Sequence, residues 1–150
     1  MIIRRVYVIA AASVLVIAAA VALAQSNAKS IMHCAVFNFS SLPVETKPTG
    51  ERRQVFDSPT ATLGRLECHI TTLNPGEAPH AAHQHPEEEV IILKEGTLDV
   101  MQNGRTNRVD TGGVIFCAAN EMHGWRNAGT NRAVYYVVKF GSSGQLKAKP

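Results

Sequence analysis

Turn clusters divide this chain into short apolar segments, and this feature limits its fold more than any other. Gly, Pro and Asn cluster at residues 74–76, 95–96, 103–104, 111–113 and 129–131, and no stretch keeps helical periodicity for three turns. Short segments rich in Val, Ile, Tyr and Phe between such turns are typical of β-strands. The sequence therefore predicts an all-β domain, a sandwich or a barrel. The expected strands are residues 35–39, 53–56, 63–73, 89–93, 97–102, 105–109, 114–118 and 133–140.

The pair Asn103-Gly104 gives the strongest local signal. A two-residue type I′ turn needs positive φ at both central positions, and Asn followed by Gly tolerates this conformation. The sequence therefore predicts that residues 97–102 and 105–109 form a β-hairpin.

Two of the expected strands are apolar on both faces. A strand with one wet face alternates apolar and polar residues, whereas residues 90–93 and 134–138 are hydrophobic at both parities. A second surface must therefore cover them. We expect this surface to be a second copy of the chain, in a homodimer; the alternative is that the N-terminal segment folds over it.

The first 24 residues have the composition of an export signal. Two arginines precede the apolar stretch 6–24, and Ala-Leu-Ala at 22–24 fits a signal peptidase site before Gln25. We therefore expect a signal peptide at residues 1–24 and a periplasmic or secreted protein. The alternative is an uncleaved membrane anchor, because nineteen residues just span a bilayer, although eight of them are Ala, which adds little transfer energy.

The rest of the chain has the length of one domain and an almost balanced charge. We expect a linker at 25–34, one domain at 35–141 and a flexible tail at 142–150. The first 24 residues hold two arginines and no acid, so without them the formal net charge falls from +3 to +1. Because no Lys/Arg stripe remains, nucleic acid is excluded as a partner, and membrane contact is expected only through an uncleaved N-terminal segment.

The cysteines Cys34, Cys68 and Cys117 are widely spaced and form no C-x-x-C pair. An odd number in an exported chain cannot be a complete disulfide framework, so at most one bridge is expected. We interpret Cys68 and Cys117 as small, buried hydrophobic residues.

Two imidazoles and a carboxylate lie close together in His83-Gln-His85-Pro-Glu-Glu-Glu89. In an extended segment, residues two apart project from one face, so His83 and His85 would point the same way. The proline allows the chain to turn and to bring Glu89 beside them. Such a set binds first-row divalent metals such as iron or manganese and leaves coordination positions open. The segment therefore predicts a metal site.

These residues resemble the first motif of the cupin superfamily. That motif has a Gly, a His-x-His pair, a Glu four residues after the second His and a Gly seven residues further on. The chain matches it with His83, His85, Glu89 and Gly96, while Gly76 lies one residue farther upstream than usual.

A second stretch is similar to the second cupin motif. Gly112, His123 and Asn127 fall at the expected spacing, but Ala118-Ala119-Asn120 replaces the common Pro-x-Gly. We expect Asn120 to take the left-handed conformation that the Gly would supply. The resemblance implies a jelly-roll barrel, or double-stranded β-helix. It also implies that one divalent metal ion is held by His83, His85, Glu89 and His123.

The implied ligand set limits the chemistry of the site. Burying three imidazoles and a carboxylate without a partner would cost several kcal/mol per charged group, and a metal offsets that cost. The ion would keep about one positive charge, which favours an anionic or chelating oxygen ligand. We expect manganese or iron, with nickel, copper or zinc as alternatives.

An enzyme also needs an acid or base beside the metal, and Glu67, His69 and Tyr136 are the candidates. Glu67 and His69 share one face of a strand, so they can act together if that face points inward and are ordinary surface residues if it points outward. His80 would line the mouth of the barrel or lie exposed in a loop. Glu87 is interpreted as part of a solvated turn.

Two classes of function fit these residues. The first is a metal-dependent oxygenase that acts on a small oxygen-rich or aromatic molecule, with Trp125 and Tyr135 or Tyr136 either as aromatic walls or as core residues. The second is a non-catalytic module that captures a small ligand such as a sugar or carboxylate. Metal-dependent isomerase, decarboxylase and hydrolase chemistry is a further alternative, because a fold does not determine a reaction.

Overall fold

The computed structural model describes residues 30–142, which contain nine β-strands, one 3-10 turn at Phe39–Ser41 and no α-helix. None of the helical structure in this range has the length and hydropathy of a membrane span. The predicted signal peptide lies outside the described residues, as do parts of the predicted linker and tail. The strands are β1 Glu45–Lys47, β2 Gly50–Ser58, β3 Arg65–Leu73, β4 Glu88–Glu95, β5 Thr97–Gln102, β6 Arg105–Asp110, β7 Val114–Cys117, β8 His123–Asn127 and β9 Ala133–Gly141.

The strands form two antiparallel sheets whose inner faces enclose the core. One sheet has the order β1-β2-β3-β9-β4-β7, and the other has the order β6-β5-β8. Neighbours in the larger sheet are distant in sequence, since β9 pairs with both β3 and β4. This arrangement confirms the predicted all-β jelly-roll barrel.

The predicted hairpin is confirmed. Strands β5 and β6 pair along their whole length, from Gln102 opposite Arg105 to Thr97 opposite Asp110. The turn residues Asn103 and Gly104 both have positive φ, 48° and 80°.

One predicted strand is wrong and two strands were missed. Residues 35–39 form no strand, because this exposed segment has no neighbouring strand with which to complete a ladder. The missed strands are β1 and β8. Strand β8 reads His-Gly-Trp-Arg-Asn, which has little intrinsic β-propensity, so its extended conformation comes from pairing with β5.

The barrel interior is apolar at one end and polar at the other. Leu73, Leu93 and Leu98 are completely buried, together with Ala133, and each buried leucine contributes about 1.5–3 kcal/mol. Towards the opposite ends of the same strands, buried polar side chains replace them. This second end of the barrel holds the candidate site.

The outer face of the larger sheet is only partly covered. The segment before β1 contacts β2, where the Phe37 and Phe56 ring centroids lie 5.5 Å apart. Ile92, Val114 and Phe116, on β4 and β7, remain substantially exposed. The N-terminal segment therefore does not cover all of the apolar face, and the homodimer stays a prediction.

Candidate functional site

A row of polar side chains crosses the inner face of the larger sheet. In the strand register Glu67 of β3 lies opposite Lys139 of β9, Lys139 opposite Glu89 of β4, and Glu89 opposite Cys117 of β7. Residues opposite each other in neighbouring strands project from the same face. Four residues separated by up to 72 positions in the sequence are therefore brought side by side.

His83 reaches the site through a local backbone pairing. The His83 amide donates to the carbonyl of His123, and the His123 amide donates to the carbonyl of His83, both at 2.9 Å. This antiparallel bridge places the two side chains on one side of the backbone. Ring nitrogens of His83, His85 and His123 lie within 4.8 Å of one another.

Backbone carbonyls orient two of these imidazoles. The Nδ1–H of His85 donates to the carbonyl of Glu87 at 2.9 Å, and the Nδ1–H of His123 donates to the carbonyl of Glu121 at 2.8 Å. In the neutral rings each Nε2 therefore carries a lone pair. The Nε2 atoms of His85 and His123 lie 3.2 and 3.1 Å from the same oxygen, Oε2 of Glu89.

The convergence of these lone pairs fits a bound cation. A carboxylate oxygen and two unprotonated ring nitrogens repel one another at these distances unless a positive charge lies among them. Nδ1 of His83 and Nε2 of His123 are also buried without a hydrogen bond in residues 30–142. A divalent metal would satisfy all these atoms, so the residues present fit the metal that the cupin resemblance implies.

The electrostatics of the site support a metal that binds unprotonated ligands. Burial, together with the neighbouring imidazoles, lowers the pKa of His83 to about 4. Burial alone would raise the pKa of Glu89, but the neighbouring His85 imidazole and the charge of Lys139 outweigh it and lower that pKa. Both side chains are therefore in their metal-binding protonation states at neutral pH.

Asn120 has the predicted left-handed backbone conformation. Its φ is +61°, and its amide donates to the carbonyl of His85 at 2.8 Å. The replacement of Gly by Asn in the second motif therefore preserves the turn that precedes His123.

Glu67 and His69 face inward and form a hydrogen-bonded pair. Glu67 Oε1 accepts from His69 Nδ1 at 2.7 Å, from Gln54 Nε2 at 2.9 Å and from Arg52 at 3.0 Å. Burial would raise the pKa of Glu67, but the hydrogen bonds and charges of His69 and its other partners lower it. No hydrogen bond to Nε2 of His69 is found in the described part of the chain, which leaves this atom to the cavity.

Tyr136 does not reach the site. It lies on β9 between Tyr135 and Val137, both of which are buried in the core, so its own side chain projects from the opposite face of the sheet. The catalytic candidate Tyr136 therefore lies outside the site, and Tyr135 lines the cavity in its place.

The interpretation of Glu87 as part of a solvated turn is wrong. Its side chain is largely buried, and its Oε1 accepts from Arg65 Nη1 at 2.7 Å. Arg65 also donates to Asp57 at 3.0 Å. This ion pair fixes the loop whose carbonyl orients His85.

A cavity of about 270 Å³ opens beside these groups. Trp125 and Tyr135 belong to the hydrophobic core and also line the wall of the cavity. The Tyr135 hydroxyl lies near Thr71 and Trp125 but makes no well-aligned hydrogen bond in the described residues. Burial raises the pKa of Tyr135 to about 12. His80 is exposed and also lines the cavity, with its ring 4.3 Å from that of His83. The charged lining residues are Lys47, Glu51, Arg52, Arg65, Glu67, Glu89 and Lys139.

Sequence reasoning missed several of these residues. Lys139 carried a usable signal, because it interrupts an apolar strand at the same parity as Tyr135 and Val137. Arg52 and Gln54 carried none, since polar residues are common on strands near the edge of a sheet.

Comparison with known proteins agrees with this geometry. The family model described as a cupin domain matches residues 69–139. Solved structures with the same fold include an RmlC-like cupin from Shewanella frigidimarina (16% identity, TM-score 0.60, covering 75% of this chain and 96% of that one). Two others are a predicted oxalate decarboxylase from Thermotoga maritima (19%, 0.58, 71% and 98%) and a polyketide cyclase from Streptomyces resistomycificus (22%, 0.59, 73% and 80%). Curated protein sequences give no significant match. Residues 69–139 therefore contain a cupin domain, and the described residues have the fold of solved cupin structures.

Proposed function

We propose that this chain is a metal-dependent enzyme that acts on a small, anionic, oxygen-rich molecule. The observation that carries the proposal is the Glu67–His69 pair, which lines the same cavity as the predicted metal ligand Glu89. A binding module needs only the metal and the cavity, whereas an acid or base held in a fixed orientation is a requirement of catalysis.

Glu67 sets the role of His69. As an ionised carboxylate it accepts the Nδ1–H of His69 and so directs the lone pair of Nε2 towards the cavity. A substrate that loses a proton there would place it on Nε2, and Glu67 would stabilise the resulting imidazolium. A divalent metal bound by the four predicted ligands would act as a Lewis acid and, if it is iron or copper, would supply redox chemistry.

The cavity favours a small anion. Its volume of about 270 Å³ is just below the usual range of small-molecule sites, which begins at about 300 Å³. Four basic and three acidic side chains line it, and a divalent ion would add further positive charge. The Nζ atom of Lys139 lies 3.7 Å from Oε1 of the predicted ligand Glu89, so we assign Lys139 to binding the substrate's anionic group.

Within this proposal, oxygenase chemistry is the first reaction to test. The activities named for two structural neighbours, a predicted oxalate decarboxylase and a polyketide cyclase, differ from each other, so the site rather than the fold must decide the reaction. An iron-loaded or manganese-loaded protein should be screened with small carboxylates, diketones and catechols, with oxygen consumption and product formation followed separately.

The decisive variant is His69→Gln, with Tyr136→Phe as the matched control. Loss of a general base lowers kcat by about 10²–10⁴-fold, so His69→Gln should show this loss with unchanged metal content. Tyr136→Phe should retain full activity, because this side chain faces away from the site. Full activity in His69→Gln would refute the assignment of His69 as the base. Ligand binding without turnover in the parent protein would instead support the non-catalytic binding module.

We also propose export and dimerisation. The N-terminal segment supports a periplasmic or secreted location, which N-terminal sequencing of protein from a cell fractionation would test.

The exposed apolar residues Ile92, Val114 and Phe116 support a homodimer through the outer sheet face. We expect Phe116→Arg to convert a dimer into a monomer in light scattering; a monomeric parent protein would contradict this.

A further inference from the structure

Cys117 is a buried thiol at the predicted metal site. It lies at the end of β7, opposite Glu89, and its side chain is 2% exposed. Its Sγ, a carboxylate oxygen of Glu89 and a ring nitrogen of His123 all lie within 4.8 Å of one another. Ligand atoms of one tetrahedral zinc ion are about 3.3–3.7 Å apart, so side-chain adjustments of about 1 Å would allow the three atoms to bind a single ion.

Two observations distinguish the surroundings of Cys117 from those of an ordinary core cysteine. The amide of Gln102 points at it, with Nε2 3.7 Å from Sγ and 2.6 Å from the carbonyl of Phe116. An N–H directed at sulfur stabilises a thiolate. In addition, His123 is 1% exposed, and its Nε2 has no hydrogen bond in residues 30–142.

Cys68 shows what an ordinary core cysteine looks like in this fold. It is also buried, but it lies next to Glu67 on β3 and therefore projects from the opposite face of the sheet. It belongs to no group of potential metal ligands in the described part of the chain. Cys34 is exposed.

We propose that Cys117 is a metal ligand, binding a thiophilic ion together with Glu89 and His123. This proposal rests on the proposed metal site and extends it, because a thiolate shifts the preference of a nitrogen and oxygen site from manganese towards zinc, cobalt or copper. Coordination replaces the S–H bond with a metal–sulfur bond and releases the proton to solvent. The site would then bind manganese or iron, as the sequence predicts, only where their concentration greatly exceeds that of zinc, cobalt or copper.

Cobalt and zinc test this without reference to activity. The protein carrying Cys34→Ser, which removes the exposed thiol, should be titrated with Co²⁺, and a sulfur-to-cobalt charge-transfer band should appear in the near ultraviolet. X-ray absorption of the zinc form should show a Zn–S distance of about 2.3 Å beside Zn–N distances of about 2.0–2.1 Å. Adding Cys117→Ser should abolish both signals, whereas adding Cys68→Ser should leave them intact.

Affinity gives a second readout. Removal of an outer partner of a metal site already weakens binding roughly 10–100-fold, so loss of Cys117 should weaken zinc binding at least tenfold while manganese binding stays unchanged. Cobalt binding with no sulfur band and no Zn–S distance would overturn the role of Cys117 and leave the four-ligand site standing. Failure to bind any metal would instead overturn the proposed site. The zinc spectrum of the Cys34→Ser protein decides the question even if Cys117→Ser fails to fold.

Discussion

Replacement of Glu67 by Gln tests how the interior polar network is held together. One oxygen of Glu67 accepts three hydrogen bonds at 2.7 to 3.0 Å, and one of its partners is the charged Arg52. Gln keeps the shape and an acceptor oxygen but removes the charge. Since charge-assisted hydrogen bonds are about twice as strong as neutral ones, each of the three should lose roughly 0.5–1 kcal/mol. We expect Glu67→Gln to lower the free energy of unfolding by about 2 kcal/mol at pH 7.

The same variant has a defined pH dependence. The folded-state pKa of Glu67 lies below its ordinary value of 4.5, so its charge stabilises the fold fully above that pH. The stabilisation is lost as the pH falls through the folded-state pKa. The stability difference between the parent protein and Glu67→Gln should therefore be constant from neutral pH down to about pH 5.5 and should narrow below pH 4.5.

Urea unfolding at pH 7, 5.5 and 4 measures this difference. Glu45→Gln is the matched control, because Glu45 is exposed and pairs only with Lys47 in the described residues, and surface changes usually stay within about 0.5 kcal/mol. Equal stability of Glu67→Gln and the parent at pH 7, or a difference that does not narrow on acidification, would refute the reasoning.

Two further substitutions test the packing at the apolar end of the barrel. The buried side-chain amide of Asn127 donates to the carbonyl of Leu73 at 3.0 Å, and Asn127→Ala removes this bond. We expect Asn127→Ala to lower the free energy of unfolding in urea by about 2–3 kcal/mol, and a loss under 1 kcal/mol would contradict this. Gly96→Ala should cost at least about 2 kcal/mol, because φ is +95° and a Cβ would come within 2.8 Å of Ala133. Gly104→Ala has a similar φ but no neighbour within 4 Å, so it should cost less, and an equal cost would show that the steric argument is wrong.

The sequence predicts the parts of this fold that local chemistry determines. The Asn103-Gly104 turn and the long apolar strands follow from turn residues and periodicity. Strand β8 does not, because a segment of His, Gly, Trp, Arg and Asn becomes extended only beside β5 and the residues around His83. The predicted ligand His123 follows from the second cupin motif and not from the sequence pattern of its strand.

The candidate site divides in the same way. His83, His85 and Glu89 are close in sequence, so their pattern is visible. The polar row that joins Glu67 to Cys117 depends on the register of four strands, which no local pattern specifies. For the same reason the sequence does not show which face of β3 points inward. It also does not show that Tyr135, and not the predicted candidate Tyr136, faces the cavity.

Elemental analysis of the purified protein tests the central claim most directly. The parent protein, the variant His123→Ala and the control His33→Ala, which changes an exposed histidine outside the site, should each be incubated with manganese, iron or zinc and freed of unbound metal. The account predicts one divalent ion per chain in the parent and in His33→Ala, and almost none in His123→Ala. A parent protein that takes up no metal, or a His123→Ala variant that keeps its full metal content, would contradict it.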